Sequence, residues 1–351
     1  MVMYSPDGPY GRLLEAAGFR WRTLRMDRLS VQPVRELAVL RQIADVYASE
    51  KPDIVHHFTI KCVVYGSFIA WLQGIRNRVN AIEGMGYVFA SRELRALALR
   101  PIVRGLMKCM VRGANARVIF HNTDDLLEFD GERSRPRENA RVILGAGVDT
   151  AVFRPAQERS ENGVTKVLFA GRLLWDKGIK EFVEAARVLY EANVAVKFLM
   201  AGTPDPGNHA SIAMHEVESW QARGWIEYLG YVADMPALLR SVDMMVLPSY
   251  REGAPRSLIE AAAAGVAIVT TDVPGCKDVV EHKVTGLIVP VREVGPLVDA
   301  IRFLHDHPEE RRRLGKAGRE KALNQFDDAL VFEQTFAVYK ELLAPPPGHA
   351  S

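Results

Sequence analysis

Short, nearly continuous apolar runs alternate along the whole chain with stretches whose apolar residues recur every three or four positions. "KPDIVHHF" reads as a buried strand leaving a Pro-Asp turn, and "ARVIFHN" and "ENARVILGAG" read likewise. "KVLFAG", "VKFLMAG", "IEYLGYV", "DMMVLPS" and "VAIVTTD" follow, with amphipathic helices such as the one expected over Ile179–Ala192 between them. A strand that is apolar on both sides cannot leave one face in water. Strand–helix alternation of this kind therefore predicts an α/β protein whose parallel sheets are covered on two faces.

A proline-, charge- and glycine-rich segment, "GVDTAVFRPAQERSENGVTK", separates two such series. Two doubly wound domains are expected, residues 1–150 and 151–328. "FDDALVFEQTFAVYKELL" reads as a long amphipathic helix with Leu330, Phe332, Phe336, Val338, Tyr339 and Leu342 apolar. This closing helix, 329–345, is expected to cross back to the first domain, and the final "APPPGHAS" to be disordered. At the other end, "MVMYSPDG" reads as a strand and turn and "RLLEAAG" as a helix. A doubly wound domain normally opens with a strand, a glycine-rich turn and a helix. That unit, roughly 40 residues long, has no room here, so the first domain is expected to lack it and the natural start to lie upstream.

Composition narrows the function classes. The 351 residues are 48% hydrophobic and 25% charged, the balance of a globular protein with large cores. A formal net charge of +2 makes no general case for nucleic acid. Three scattered cysteines, Cys62, Cys109 and Cys276, make a disulfide framework or a thiolate metal site a poor expectation, and reducing cytoplasm is the default. No apolar run approaches the ~18–20 residues of a membrane span, and the N-terminus lacks a basic-then-apolar signal pattern.

Two loops carry candidate chemistry. "SYREGAPRSLIEAAAAG" places Glu252 in the loop after the "DMMVLPS" strand and Glu260 on the helix that follows, with Pro255 in its first turn and Gly265 past its end. Ligands of open α/β sheets bind at that carboxyl edge. Gly253 and Ala254 would let a ligand approach the backbone, the helix start near Ser257 and Leu258 offers amide donors to an anion, and Glu260 can accept hydrogen bonds from a polyol. Ser257-x-x-Glu260 also fits a capping box, which would occupy Glu260 with a helix-start amide. "VLFAGRLLWDKGIKEF" is again strand, loop and helix, with Gly171, Arg172 and Lys177 before Gly178 at the helix start. Two cations beside a helix N-terminus suit a phosphate without a metal; alone, they could equally be solvated loop charges. Together, a cationic loop and an acidic one answer to a nucleotide diphosphate-sugar.

"AGRLLWDKG", "VILGAGVDTAVFRP" and the run from "GYVADMPALLRSVDMMVLPSYREGAPRSLIEAAAAG" to "VTGLIVP" resemble the retaining glycosyltransferases of family 4. The resemblance extends over nearly the whole chain. It implies the GT-B fold, two Rossmann-like domains facing a central cleft, and a glycosyltransferase needing neither metal nor other cofactor. Arg172 and Lys177 would bind the donor diphosphate and neutralise the leaving group. Glu252 would face the donor sugar and Glu260 hold the ribose. Gly171, Gly253, Ala254, Ser257 and Leu258 would support sugar and phosphates, and Tyr231 and Val232 would lie near the base. Retention implies front-face attack, in which the acceptor hydroxyl passes its proton to the departing phosphate.

"KPDIVHHFTIKCVVYGS" and "VNAIEGMGYVF" resemble more narrowly a branch acting on lipid-linked sugars in bacterial surface-polysaccharide and glycoprotein assembly. His57, Thr59 and Lys61 follow a strand at its ligand-facing end, with Lys61 the candidate for an acceptor phosphate; adjacent His56 and His57 point to opposite faces, so at least one of them is expected to pack. Glu83 stands where many family members carry a histidine. No H-E-x-x-H or similar spacing points to a metal. The expected substrates are a UDP-hexose or UDP-N-acetylhexosamine and a lipid-linked or growing glycan. Two alternatives share the fold: a weakly catalytic nucleotide-sugar-binding protein and a nucleotide-sugar 2-epimerase. One charge bias remains, seven basic residues against one acidic between Arg92 and Arg117. On a helix, Arg100, Arg104, Lys108 and Arg112 form one row beside Ile102, Val103, Leu106, Met107 and Met110. Such a helix can lie on an anionic membrane on the cytoplasmic side, or be an ordinary amphipathic helix with a solvated basic face.

Overall fold

The computed structural model describes residues 2–5, 9–27, 32–84, 94–113, 115–130, 138–156 and 163–344. The chain divides into two compact units: residues 1–119, 137–141 and 338–351, and residues 120–136 with 142–337.

The second unit holds six strands: β7 (Thr165–Ala170), β8 (Val196–Ala201), β9 (Glu227–Gly230), β10 (Met244–Leu247), β11 (Ala267–Thr271) and β12 (Leu287–Val289). Every pairing is parallel, and the order is β12-β11-β10-β7-β8-β9. The apolar runs explain why: Val167, Leu168, Phe169, Met244, Met245, Val246, Ile268 and Val269 are all buried, so the sheet needs helices on both faces. The helix Ile179–Glu191 buries Ile179, Phe182, Val183, Ala186 and Leu189, close to the expected span. β9 departs from expectation. It is an edge strand and mostly half-buried, which "IEYLGYV" did not distinguish from a central one. The helix Thr123–Asp130 groups with this unit although it precedes β7 by some distance in sequence.

In the first unit, β1 (Val2–Ser5) pairs in parallel with β2 (Arg20–Thr23) across the helix Pro9–Ala16. A separate sheet runs β3 (Ile54–Phe58), β4 (Asn77–Ile82), β5 (Ala116–Phe120) and β6 (Ala140–Val142). β6 is shorter and more exposed than "ENARVILGAG" suggests, being the sheet edge. β4, "NRVNAI", carries polar residues that interrupt the apolar run, and their partners are tertiary. Asn80 is buried and accepts from His57 Nδ1 at 2.8 Å and from Ser67 Oγ at 2.9 Å. Tyr47 O–H donates to His57 Nε2 at 2.6 Å, so the ring is neutral with its proton on Nδ1. A β-carbon at Gly66 would lie 2.4 Å from that ring, which explains a glycine inside the helix Ile60–Leu72. His56, on the opposite face, meets Tyr339 O–H at 2.6 Å. Both histidines therefore pack.

The basic segment is one helix, Leu94–Met110, with Pro101 inside it. The expected solvent-facing basic row is corrected by the structure. Met107 is fully buried, and Arg100 and Arg104, seven and three positions before it, are carried to the same side; with Lys108 they are half-buried and engaged by neighbours. The outward face shows Ile102, 58% exposed, and Leu106, 48% exposed. Among the described residues no helix is long and apolar enough to cross a membrane. The "MGYVFASRE" stretch (85–93) and the "APPPGHAS" tail from residue 345 on lie outside the described residues.

Burial lowers the His57 pKa from 6.5 to about 4. The unfolded chain binds the extra proton across that window, so stability is complete above pH 6.5 and falls as pH drops toward 4. By about pH 5 the loss from this residue is on the order of 2 kcal/mol. His57→Gln is expected to be less stable at neutral pH yet to lose less on acidification, read from urea midpoints at the two pH values.

Candidate functional site

The strand order reverses between β7 and β10, so the loops leaving these two neighbours start from one point of the carboxyl edge. That reversal is where open α/β sheets form a ligand crevice. From β7 the chain passes Gly171 and Arg172, makes a single 3₁₀ turn at Trp175–Lys177, and enters the helix Ile179–Glu191 through Gly178. From β10 it passes Pro248 to Pro255 and enters the helix Arg256–Ala263.

Two glycines let these loops press together. Gly178 has φ +71°, and a β-carbon there would lie 1.9 Å from the Pro248 carbonyl oxygen. Gly275 has φ +79° and sits against the carbonyls of Glu252 and Gly253. Hydrogen bonds finish the junction: Tyr250 N–H donates to Asp176 O at 2.9 Å and Glu252 N–H to Pro274 O at 3.2 Å. The Tyr250 hydroxyl donates to the buried Glu181 carboxylate at 2.9 Å.

The result is an ion pair between the two loops. Lys177 Nζ lies 2.5 and 2.7 Å from the oxygens of Glu252, and Ser249 Oγ donates to Glu252 Oε1 at 2.6 Å. The side chains are 20% and 9% exposed, so the pair is sheltered but reachable. Arg172 does not join it. The guanidinium stands half-exposed and bonds Asp205 at 2.8 Å.

Glu260 projects from the helix after Glu252 and pairs with Arg256 Nε at 2.8 Å. The helix begins at Arg256 with Pro255 as its N-cap, so Ser257 lies inside it and the capping-box alternative is not realised. Burial raises the Glu260 pKa, with Arg256 acting in the opposite direction. Leu258 N–H donates to Pro255 O at 3.0 Å and Gly171 N–H to Ala201 O at 3.0 Å, so neither amide is directed outward. Ala254 and Ser257 are half-buried at the helix entrance. Tyr231, 74% exposed, and half-buried Val232 follow the edge strand β9.

In the first unit the expected acceptor residues are placed differently from expectation. His57 is a core residue with both ring nitrogens bonded. Lys61 Nζ is held by Glu36 at 2.8 Å and by Asp27 O at 2.7 Å, so its charge is already answered within the fold. Thr59 has φ +70°, a strained value for a β-branched residue. Glu83 stands exposed just past β4.

Three features escaped sequence reasoning. Ser249 and buried Cys276 both stand near Glu252, and burial, then Glu252 itself, pushes the Cys276 thiol up to about 12. Arg251 bonds Asp125 and Glu128 at 2.5 and 2.6 Å. The one available signal was Asn122 before "TDD", a helix-start pattern, which says nothing of a distant partner.

Residues 153–321 match the family described as Glycosyl transferases group 1, and residues 3–122 match Glycosyl transferase 4-like. The chain is 27% identical over 349 residues to the N,N'-diacetylbacillosaminyl-diphospho-undecaprenol alpha-1,3-N-acetylgalactosaminyltransferase of Campylobacter jejuni, covering 96% of this chain and 90% of that protein. It is 23% identical to the UDP-Gal:alpha-D-GlcNAc-diphosphoundecaprenol alpha-1,3-galactosyltransferase of Escherichia coli, covering 85% and 78%. Among solved structures, Anabaena HepE in complex with UDP-glucose matches with a TM-score of 0.77 over 97% of this chain and 91% of its own, at 19% identity. The fold is of the GT-B class.

Gly178→Ala is expected to destabilise the protein by more than about 2 kcal/mol, from a positive φ and the collision with Pro248. A lowered urea midpoint checks this.

Proposed function

Since the chain belongs to the group 1 glycosyltransferases, we propose that it moves a hexose or N-acetylhexosamine, with retention, from a UDP-sugar to a lipid-linked glycan in surface-polysaccharide or glycoconjugate assembly. The observation that carries the donor side is the Lys177–Glu252 pair at the β7/β10 reversal. A dianionic diphosphate competes for Lys177 and draws Arg172 from Asp205, since phosphate oxygens accept from both cations. Glu252, released from Lys177, turns to the hydroxyls of the donor sugar. Glu260 exchanges its exposed Arg256 partner for the ribose hydroxyls. Tyr231 and Val232 lie toward the base.

The acceptor hydroxyl oxygen forms a bond to the anomeric carbon on the face from which the diphosphate leaves. The bond from that carbon to the phosphate oxygen breaks, and the hydroxyl proton passes to the departing phosphate. UDP and the glycosylated acceptor are the products. Arg172 and Lys177 act where negative charge grows, which is the main service the chain's own residues render.

The acceptor class follows from the relatives in Campylobacter jejuni and Escherichia coli, both named for undecaprenol-diphosphate-linked sugars. Such an acceptor stays at a membrane. Ile102 and Leu106, outward on the helix Leu94–Met110, with exposed Arg112 just past its end, suit peripheral binding to an anionic bilayer.

Calorimetric titration with UDP and UDP release with a polyprenyl-diphosphate-sugar acceptor test the reading together. Glu252→Ala is expected to keep or tighten UDP binding, because Lys177 loses its internal partner, while transfer falls roughly 100-fold or more. Arg172→Ala is expected to weaken both. Binding without turnover in the wild type points instead to a nucleotide-sugar-binding protein, and donor epimerisation at C2 to an epimerase. An inverted anomer in the product, read by proton coupling constants, would remove retention.

Co-sedimentation with phosphatidylglycerol liposomes tests the membrane face. Ile102→Ser/Leu106→Ser is expected to leave more protein in the supernatant. Wild-type binding by this variant would eliminate the membrane assignment.

A further inference from the structure

Glu252 lies between two residues that are both held by one buried side-chain circuit. Asn122 Nδ2 donates to the Gly253 carbonyl at 2.7 Å and to Asp125 Oδ2 at 2.9 Å. Asn122 Oδ1 accepts from the Asp125 amide at 2.7 Å, capping the helix Thr123–Asp130. The other oxygen of Asp125 accepts from Arg251 Nη2, which also reaches Glu128. Asn122 and Asp125 are completely buried. The ring of contacts runs Asn122, Asp125, Arg251, then along the backbone through Glu252 to Gly253 and back to Asn122. Glu252's own amide is tied separately to Pro274 O.

Burying a carboxylate and a guanidinium together is costly unless geometry is fully met. An arginine next to the proposed sugar-facing acid, bonded to two acids of the helix Thr123–Asp130, is poorly explained by stability alone. We propose that Asn122 and Asp125 are positioning residues for Glu252: they clamp the peptides on either side of it, so that its carboxylate is held for the donor sugar while the diphosphate contacts on the β7 loop are left alone. Neither residue touches substrate. This rests on the transfer reading above.

The two loops carry different proposed ligand contacts, sugar on one and diphosphate on the other, which makes the clamp testable. In Asp125→Asn the shape is kept and the charge lost. Transfer kcat is expected to fall about tenfold while the Kd for UDP stays within about twofold. Hydrogen exchange of a peptide spanning residues 249–255 is expected to quicken about tenfold, beyond what the fall in the urea midpoint accounts for. In a Glu252→Gln background, adding Asp125→Asn is expected to change kcat by less than about twofold, because it acts through the side chain already altered.

Equal losses in both backgrounds would overturn the proposal in favour of general structural damage. Unchanged exchange at 249–255, or faster exchange with undiminished kcat, would overturn it as well. A wild type that turns over no nucleotide sugar defeats the transfer reading, and the exchange measurement then still decides whether Asp125 holds the loop. If Asp125→Asn does not fold, Asn122→Ser carries the same tests, since a serine can still cap the helix Thr123–Asp130 but loses the amide that donates to the Gly253 carbonyl.

Discussion

A lysine and a glutamate, 75 residues apart in sequence, meet at 2.5 Å because two parallel strands are neighbours. The other proposed donor-site features depend on that adjacency. β7 and β10 pair with Val167 opposite Met244 and Leu168 opposite Met245, which brings their carboxyl ends level. The loops that leave them press together at Gly178 and Pro248, which brings Lys177 to Glu252. Isolated, either charge would be an ordinary loop residue. Brought together in a partly dry setting, each changes what the other can do.

The loops that carry the pair are tied at several points. Gly178 admits Pro248 and Gly275 admits the Glu252 and Gly253 carbonyls. Tyr250 is held through its amide and its hydroxyl, Arg251 through its guanidinium, and Gly253 through its carbonyl. An acid held this way pays its ordering entropy on folding rather than on binding. Lys177 makes the same trade, since its resting partner holds its long side chain in place until a stronger anion arrives.

The first unit uses polar groups differently. His57, Tyr47, Asn80 and Ser67 satisfy one another inside the core, and Lys61 and Tyr65 share Glu36. These residue types look like chemistry in a sequence, yet here they are consumed by packing. What remains outward on the basic helix is apolar, the reverse of what its row of cations suggests. The proposed donor chemistry therefore concentrates in the second unit.

Local pattern was enough for the strand–helix alternation, the α/β class, both loops and the residues in them, because period and turn chemistry act within a few positions. It also placed Arg172, Lys177, Glu252 and Glu260 at carboxyl ends of strands or on the helix that follows. Partners were beyond its reach. Nothing near Lys177 names Glu252, nothing near Arg172 names Asp205, and nothing near Asn122 names Gly253. Edge or centre for β9, core or surface for His57, and inward or outward for Arg104 depend on which segments meet across the fold. Those answers come from long-range burial and hydrogen bonding, which only the tertiary structure decides.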